Sequence, residues 1–195
     1  MKRPRIPPLL ADIIQTGLSS FNDVLFDTRD ACPMCGGELS GYDTKKKQFA
    51  VLTDDDGQHP IHVRVRRFRC KQCHAICFAD EPFYPDTRTG SPVVDLAVTL
   101  AATMPYTRTA TYMASMGILI DRGSVRNYAR RGFFTIPTTD IFGIRLPLSL
   151  ITLSTLATSF GEGGRIPGAE VLAACGFPSA YRAVLHLPLP GEEGK

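Results

Sequence analysis

Two cysteine pairs constrain this chain more than any other feature. Cys32-Pro33-Met34-Cys35 and Cys70-Lys71-Gln72-Cys73 share the two-residue spacing that lets a tight turn aim both sulfurs at one point. Together they offer four thiolates, a complete tetrahedral set for Zn2+ at Zn–S distances of about 2.3 Å. Gly36 and Gly37 follow the first pair, where the backbone must approach sulfur closely. The alternating run Val63-Arg64-Val65-Arg66-Arg67-Phe68-Arg69 leads straight into the second. Paired knuckles at the ends of a hairpin describe a zinc ribbon, so Cys32, Cys35, Cys70 and Cys73 are the expected ligands of a structural Zn2+.

Two other thiol chemistries fit parts of this pattern and fail on the whole. Cys70-Lys71-Gln72-Cys73-His74 matches the attachment sequence of a c-type haem, but the second thiolate pair would then have no role. Cys32-Pro33-Met34-Cys35 alone resembles a dithiol redox site, yet no βαβ pattern surrounds it. His74 and Cys77 are spare candidates beside a set already complete, and Cys77 reads as a small buried side chain. No apolar run follows the basic opening Met1-Lys2-Arg3-Pro4-Arg5, and the longest uncharged stretch, residues 146–161, is shorter than a bilayer requires. A cytoplasmic protein with reduced thiols, no membrane partner and no small-molecule substrate is expected.

The return strand of the hairpin should place Ile61, Val63 and Val65 on one face and His62, Arg64 and Arg66 on the other. Its partner strand is expected over residues 42–52, carrying Lys45-Lys46-Lys47. Asp56-Gly57 signals the turn between them, and Pro60 is expected to stop the pairing there. The net charge is only +3, but residues 61–79 hold five basic side chains and no acid. Local basic faces of this kind are the footprint of a polyanion partner.

Beyond residue 90 the pattern turns helical. Ser91-Pro92 reads as an N-cap with a first-turn proline, opening a helix that ends near Met104-Pro105. A second helix starts near Thr107 and closes at Gly117 as a left-handed C-cap. Asp121 caps a third, with Val125, Tyr128 and Ala129 inward and Arg122, Ser124, Arg126, Asn127 and Arg130 outward. Three short helices with a basic third describe a helix-turn-helix, and Arg and Asn are the types that pair with guanine and adenine edges.

The stretch Arg67-Phe68-Arg69-Cys70 to Cys73, with Phe78 after it, resembles the zinc ribbon that precedes the helix-turn-helix of many insertion-sequence transposases. The run from Tyr106-Thr107-Arg108 through Met116-Gly117-Ile118 to Asn127-Tyr128 is similar to that helix-turn-helix. The resemblance implies duplex DNA binding, with Ser124, Arg126 and Asn127 at base-reading positions. It does not extend to a catalytic domain. The last sixty or so residues hold only Asp140, Glu162, Glu170, Glu192 and Glu193 as acids and no sheet pattern past Thr139, so no strand-transfer enzyme is expected.

The full expectation is an α+β chain. Residues 1–30 form a basic arm and a short helix with Leu10, Ile13, Ile14 and Leu18 on one face. A zinc ribbon with a long antiparallel β-hairpin arm follows at 31–85, a helix-turn-helix three-helix unit at 86–135, and a small helical C-terminal module at 136–195. That module includes a helix pair about Gly176, with Arg182 and His186 in its second member, and suits a homodimer or protein contact. Double-stranded DNA is the expected partner, contacted by Arg64, Arg66, Arg67 and Arg108 with the third-helix residues. The rival class is a zinc-stabilised protein–protein adaptor without enzymatic activity. RNA binding is disfavoured because aromatics interleaved with the basic residues are few in the sequence.

Overall fold

A computed structural model describes residues 6–131, 136–161 and 164–176. The expected basic arm at Lys2, Arg3 and Arg5, and the helix expected to carry Arg182 and His186, lie outside the described residues. The fold is mixed α+β, with antiparallel pairing throughout except for one short parallel contact.

The hairpin dominates. Strands β2 (Leu39–Asp54) and β3 (Gly57–Cys70) pair antiparallel down to Asp54 opposite Gly57, a reach of roughly 45 Å. The two-residue turn is held by the Asp56 amide, which donates to the Asp54 carboxylate at 2.9 Å. Pro60 does not end the pairing; it sits within β3 opposite Val51. The Val51 carbonyl points away from β3 and accepts the Leu119 amide at 2.8 Å, so no ladder hydrogen bond is asked of the Pro60 nitrogen. Two extra residues, Tyr42 and Phe49, bulge out of β2. The second bulge lets Phe49 and its neighbour Ala50 both turn inward, where each is fully buried.

Around this hairpin, β1 (Leu25–Phe26) runs parallel to β3 at Arg64 and Val65, and β4 (Ile76–Phe78) pairs antiparallel with it at residues 67–69. Helix α1 (Pro8–Ser19) begins on a proline and buries Leu10, Ile14 and Leu18 against α5 (Leu148–Phe160). Ile13, expected on the same face, stays 39% exposed, because one step of about 100° carries it off the stripe. The aromatic segment after β4 joins the main core. Phe83 packs edge-on to Phe49 at 6.1 Å, and Phe49 in turn packs on Phe21.

Helix α2 (Ser91–Ala101) is buried on nearly every side. Gly90, not Ser91, is its N-cap, and Ser91 lies inside the first turn, fully buried. Helix α3 (Tyr106–Ser115) ends on Gly117 at φ 79°, with the Ile118 amide donating to Met113 and the Gly117 amide to Ala114. This double bond pattern is the left-handed helix ending anticipated for a glycine. Helix α4 (Arg122–Arg130) follows, its Ser124 amide capped by Asp121 at 2.9 Å.

Past residue 135 the chain is not purely helical. A small hairpin, β5 (Thr138–Ile141) and β6 (Ile144–Pro147), precedes α5 and α6 (Gly168–Ala174). Its turn residues Phe142 and Gly143 both have positive φ, the geometry that matches hairpin twist. With only four residues per strand and phenylalanine in a turn position that favours Asn or Asp, this hairpin carries almost no sequence signal. Buried residues from α1 through α6 form one continuous core.

At the centre of that core Asp95 is 3% exposed and accepts hydrogen bonds from Tyr84 Oη and Ser149 Oγ, each at 2.6 Å. Burial pushes its carboxyl up to about 6, against the two hydroxyl donors that favour the charge. The folded state therefore holds a proton that the unfolded chain, at 3.8, has already released. Stability is fully present below about pH 4, falls as pH rises towards 6, and is flat above. Asp95→Asn is expected to flatten that window, on the order of 3 kcal/mol at most, in urea unfolding measured from pH 4 to 7.

Candidate metal centre and basic surfaces

The sulfurs of Cys32, Cys35, Cys70 and Cys73 lie within 4.8 Å of one another. Cys32 Sγ is 3.6 Å from Cys73 Sγ, and Cys35 Sγ is 3.5 Å from Cys70 Sγ. A tetrahedral ion with metal–sulfur bonds of about 2.3 Å needs sulfurs roughly 3.8 Å apart, so this set is already close to ligand geometry.

The two knuckles that aim these sulfurs are built alike. The Cys32 amide donates to the Gly37 carbonyl at 3.0 Å, and the Gly36 amide to the Cys32 carbonyl at 2.9 Å. In the second turn the Cys70 amide donates to Ala75 at 2.9 Å, and the His74 amide to Cys70 at 3.2 Å. In both, the residue after the second cysteine adopts a left-handed backbone: Gly36 at φ 73° and His74 at φ 61°. His74 is thus the positional counterpart of Gly36. Its place beside Cys73 follows from the turn, and it is not one of the four clustered ligands. Cys77 is buried on β4 outside the cluster, its thiol pushed up by burial. Gly37 has no room for a side chain: a Cβ there would lie 2.7 Å from Gln72 Oε1 and 3.0 Å from Cys70 Sγ.

The electrostatics suit a cation. The Met34 amide donates to Cys32 Sγ and the Gln72 amide to Cys70 Sγ, both at 3.4 Å. Backbone amides lower the Cys32 thiol, that of Met34 foremost, and bring Cys70 down to about 6, with the Cys73 amide as the main cause. The Ala75 amide favours the Cys73 thiolate too, but the neighbouring Cys35 sulfur and burial push that thiol up to about 12. Four thiolates this close repel one another, and a metal ion replacing their protons removes the repulsion. The cluster is therefore able to hold a metal ion.

The hairpin arginines divide between two faces. Arg64, opposite Lys46, and Arg66, opposite Thr44, share the exposed face with His62. Arg67 lies on the other face, opposite Asp43, with which it forms a two-pronged ion pair. That pair raises the guanidinium further and holds Asp43 below the usual carboxylate range. Arg64 is itself tied to the Asp23 carbonyl at 3.2 Å, while Arg66 rests over the Phe68 ring.

On α3 and α4 the basic residues are differently placed. Arg108, Arg122, Arg126, Asn127 and Arg130 are exposed, and the four arginines make no salt bridge among the described residues. Val125 and Tyr128 on the reverse of α4 are buried. Ser124 donates its hydroxyl to Asp121, whose carboxyl this bond holds low. Ser124 and Asn127 open into a cleft of about 740 Å³ shared with Gln48 and Val51 of β2 and with Arg88 and Arg131. Arg88 carries no sequence signal of its own and reaches this cleft through the 85–89 loop, to which Arg131, the C-cap of α4, donates at the Pro85 carbonyl, 2.8 Å away.

Among the described residues no helix is long and apolar enough to cross a membrane. No protein-family model matches the chain, and no curated protein or solved structure is similar enough to match it.

Two substitutions separate the roles of the knuckle residues. Gly37→Ala is expected to push the exposed Gln72 side chain aside and crowd Cys70 Sγ, at a cost of about 1 kcal/mol. His74→Gly relieves a left-handed side chain and is expected to stabilise by roughly 0.5–1 kcal/mol with the metal content unchanged. Thermal unfolding with metal analysis checks both; loss of the metal in His74→Gly would make His74 a ligand.

Proposed function

We propose that this protein binds double-stranded DNA through α4, with the four cysteines holding a structural Zn2+. The observation that carries the reading is the contrast in charge pairing. Arg108, Arg122, Arg126 and Arg130 stand exposed with no salt bridge among the described residues, whereas Arg64 and Arg67 of the hairpin have internal acceptors. Unpaired guanidinium groups on two adjoining helices, three of them on α4, are available to phosphates and guanine edges. Asn127, exposed one turn from Ser124, is the adenine-reading type at a base-facing position of a major-groove helix. The tight α3 ending at Gly117 followed by capped α4 fits a helix-turn-helix, and the cysteine knuckles at the base of the hairpin fit a zinc ribbon. Four soft thiolates in tetrahedral array favour zinc among the metals of a reduced cytoplasm.

In this reading the hairpin face bearing Lys46, Arg64 and Arg66 lies along the flanking phosphates. The biological role is that of a transcriptional regulator or of a DNA-binding module derived from a transposase. The segment after α5 supplies a protein or self-association surface. Elemental analysis of the purified chain is expected to give one zinc and no iron per molecule, and Cys35→Ser to leave it zinc-free with the ribbon unfolded. Duplex affinity should fall steeply with salt, and Arg126→Ala and Arg130→Ala should each flatten the log–log slope by about 1. A folded, zinc-loaded chain without duplex affinity at about 50 mM salt would favour the adaptor instead.

A further inference from the structure

We propose that the open face of the sheet beside the four cysteines binds unpaired bases of a single-stranded nucleic acid by stacking. Tyr42 and Phe78 are 36 positions apart in sequence, but strand pairing sets Asp43, Arg67 and Phe78 in one row across the sheet, and the bulge beside Asp43 brings the Tyr42 ring to the same arginine. Between them lies Arg67, its guanidinium 5.3 Å from the Tyr42 ring centre and 6.0 Å from that of Phe78. The Asp43 carboxylate fixes Arg67 there, so the row is rigid before any ligand arrives. Lys47 also lies over the Phe78 ring, at 5.1 Å, and is fixed in turn by Glu81 at 2.7 Å.

Despite these contacts the rings are not buried: Tyr42 is 53% and Phe78 37% exposed, and Ile76 beside them is 48% exposed. Exposed aromatics held in place on a sheet are what base stacking requires. The phosphate partners are on the same face. Lys45, opposite Val65, lies two pairs to one side of the aromatic row, and Arg69, opposite Ile76, two pairs to the other, each about 7 Å away along the strand. Both are exposed and make no salt bridge among the described residues, while the acid in the row, Asp43, is already neutralised by Arg67. Two exposed rings flanked by free cations are complementary to a strand with its bases splayed and its phosphates on either side. A protein surface would gain nothing from those cations without acids of its own. This surface uses none of the α4 residues, so it stands or falls separately from duplex recognition.

The chain has no tryptophan, so Tyr42→Trp places a single indole in the row. Titration with oligothymidylate and oligouridylate of about twelve nucleotides is expected to quench that indole saturably, the stronger of the two arms identifying DNA or RNA. Phe78→Leu, which keeps apolar bulk but removes the ring, and Tyr42→Ala should each weaken oligonucleotide binding about five- to hundredfold. Both should leave duplex affinity, zinc content and thermal unfolding unchanged, and Arg126→Ala should show the reverse pattern. Oligonucleotide binding without quenching, or binding indifferent to both ring substitutions, would overturn the proposal. So would the absence of oligonucleotide binding in a chain that self-associates until Tyr42 is replaced, measured by light scattering.

Discussion

The convergence of four sulfurs is the constraint from which the other placements follow. It fixes the base of a hairpin whose strands are 16 and 14 residues long, far beyond what two strands hold unaided in water. The opposite end of the same hairpin is secured by a different device. The Thr53 amide donates to the Gly117 carbonyl at 2.9 Å, and the Leu119 amide to Val51 at 2.8 Å. The turn between α3 and α4 thus continues the sheet past the edge of β2. Through these two bonds the position of α4 is referred back, along the hairpin, to the cysteine cluster.

Charge is distributed by the same geometry. Period-two alternation sends Arg64 and Arg66 to one face and Arg67 and Arg69 to the other, so a run that looks uniformly basic in sequence supplies two unlike surfaces. On one, like charges at Lys46 and Arg64 stand directly opposite each other, and Asp23 beside Arg64 offsets part of their repulsion. On the other, Arg67 is consumed in organising two aromatic rings. The arginines of α3 and α4 have no such internal duties, which is why the duplex-binding proposal rests on them.

The core adds a polar element that sequence periodicity does not reveal. Asp95 lies on the helix buried on most sides, and its two hydroxyl partners come from the loop before α2 and from the start of α5. It joins three segments that are distant in the chain. Its cost is a pH-dependent stability, and its benefit is a fixed docking of α5, against which α1 then packs.

The sequence by itself determined the local features: the two knuckles, the alternation of β3, the Asp121 cap, the Gly117 ending and the inward Val125 and Tyr128. Each is a matter of bonding within a few residues, where residue type and spacing suffice. It missed what depends on distant partners. Pro60 is tolerated in a strand because Val51 bonds to Leu119; two local misses have other causes, since β5 and β6 pair over too few residues to show a period and one helical step carries Ile13 off the buried stripe of α1. The scarcity of interleaved aromatics was true of the linear chain, but strand pairing and the bulge at Tyr42 bring rings from residues 42 and 78 to one arginine. Tertiary structure alone decided which charges are neutralised and which remain free, because an ion pair depends on register across strands and not on neighbours along the chain.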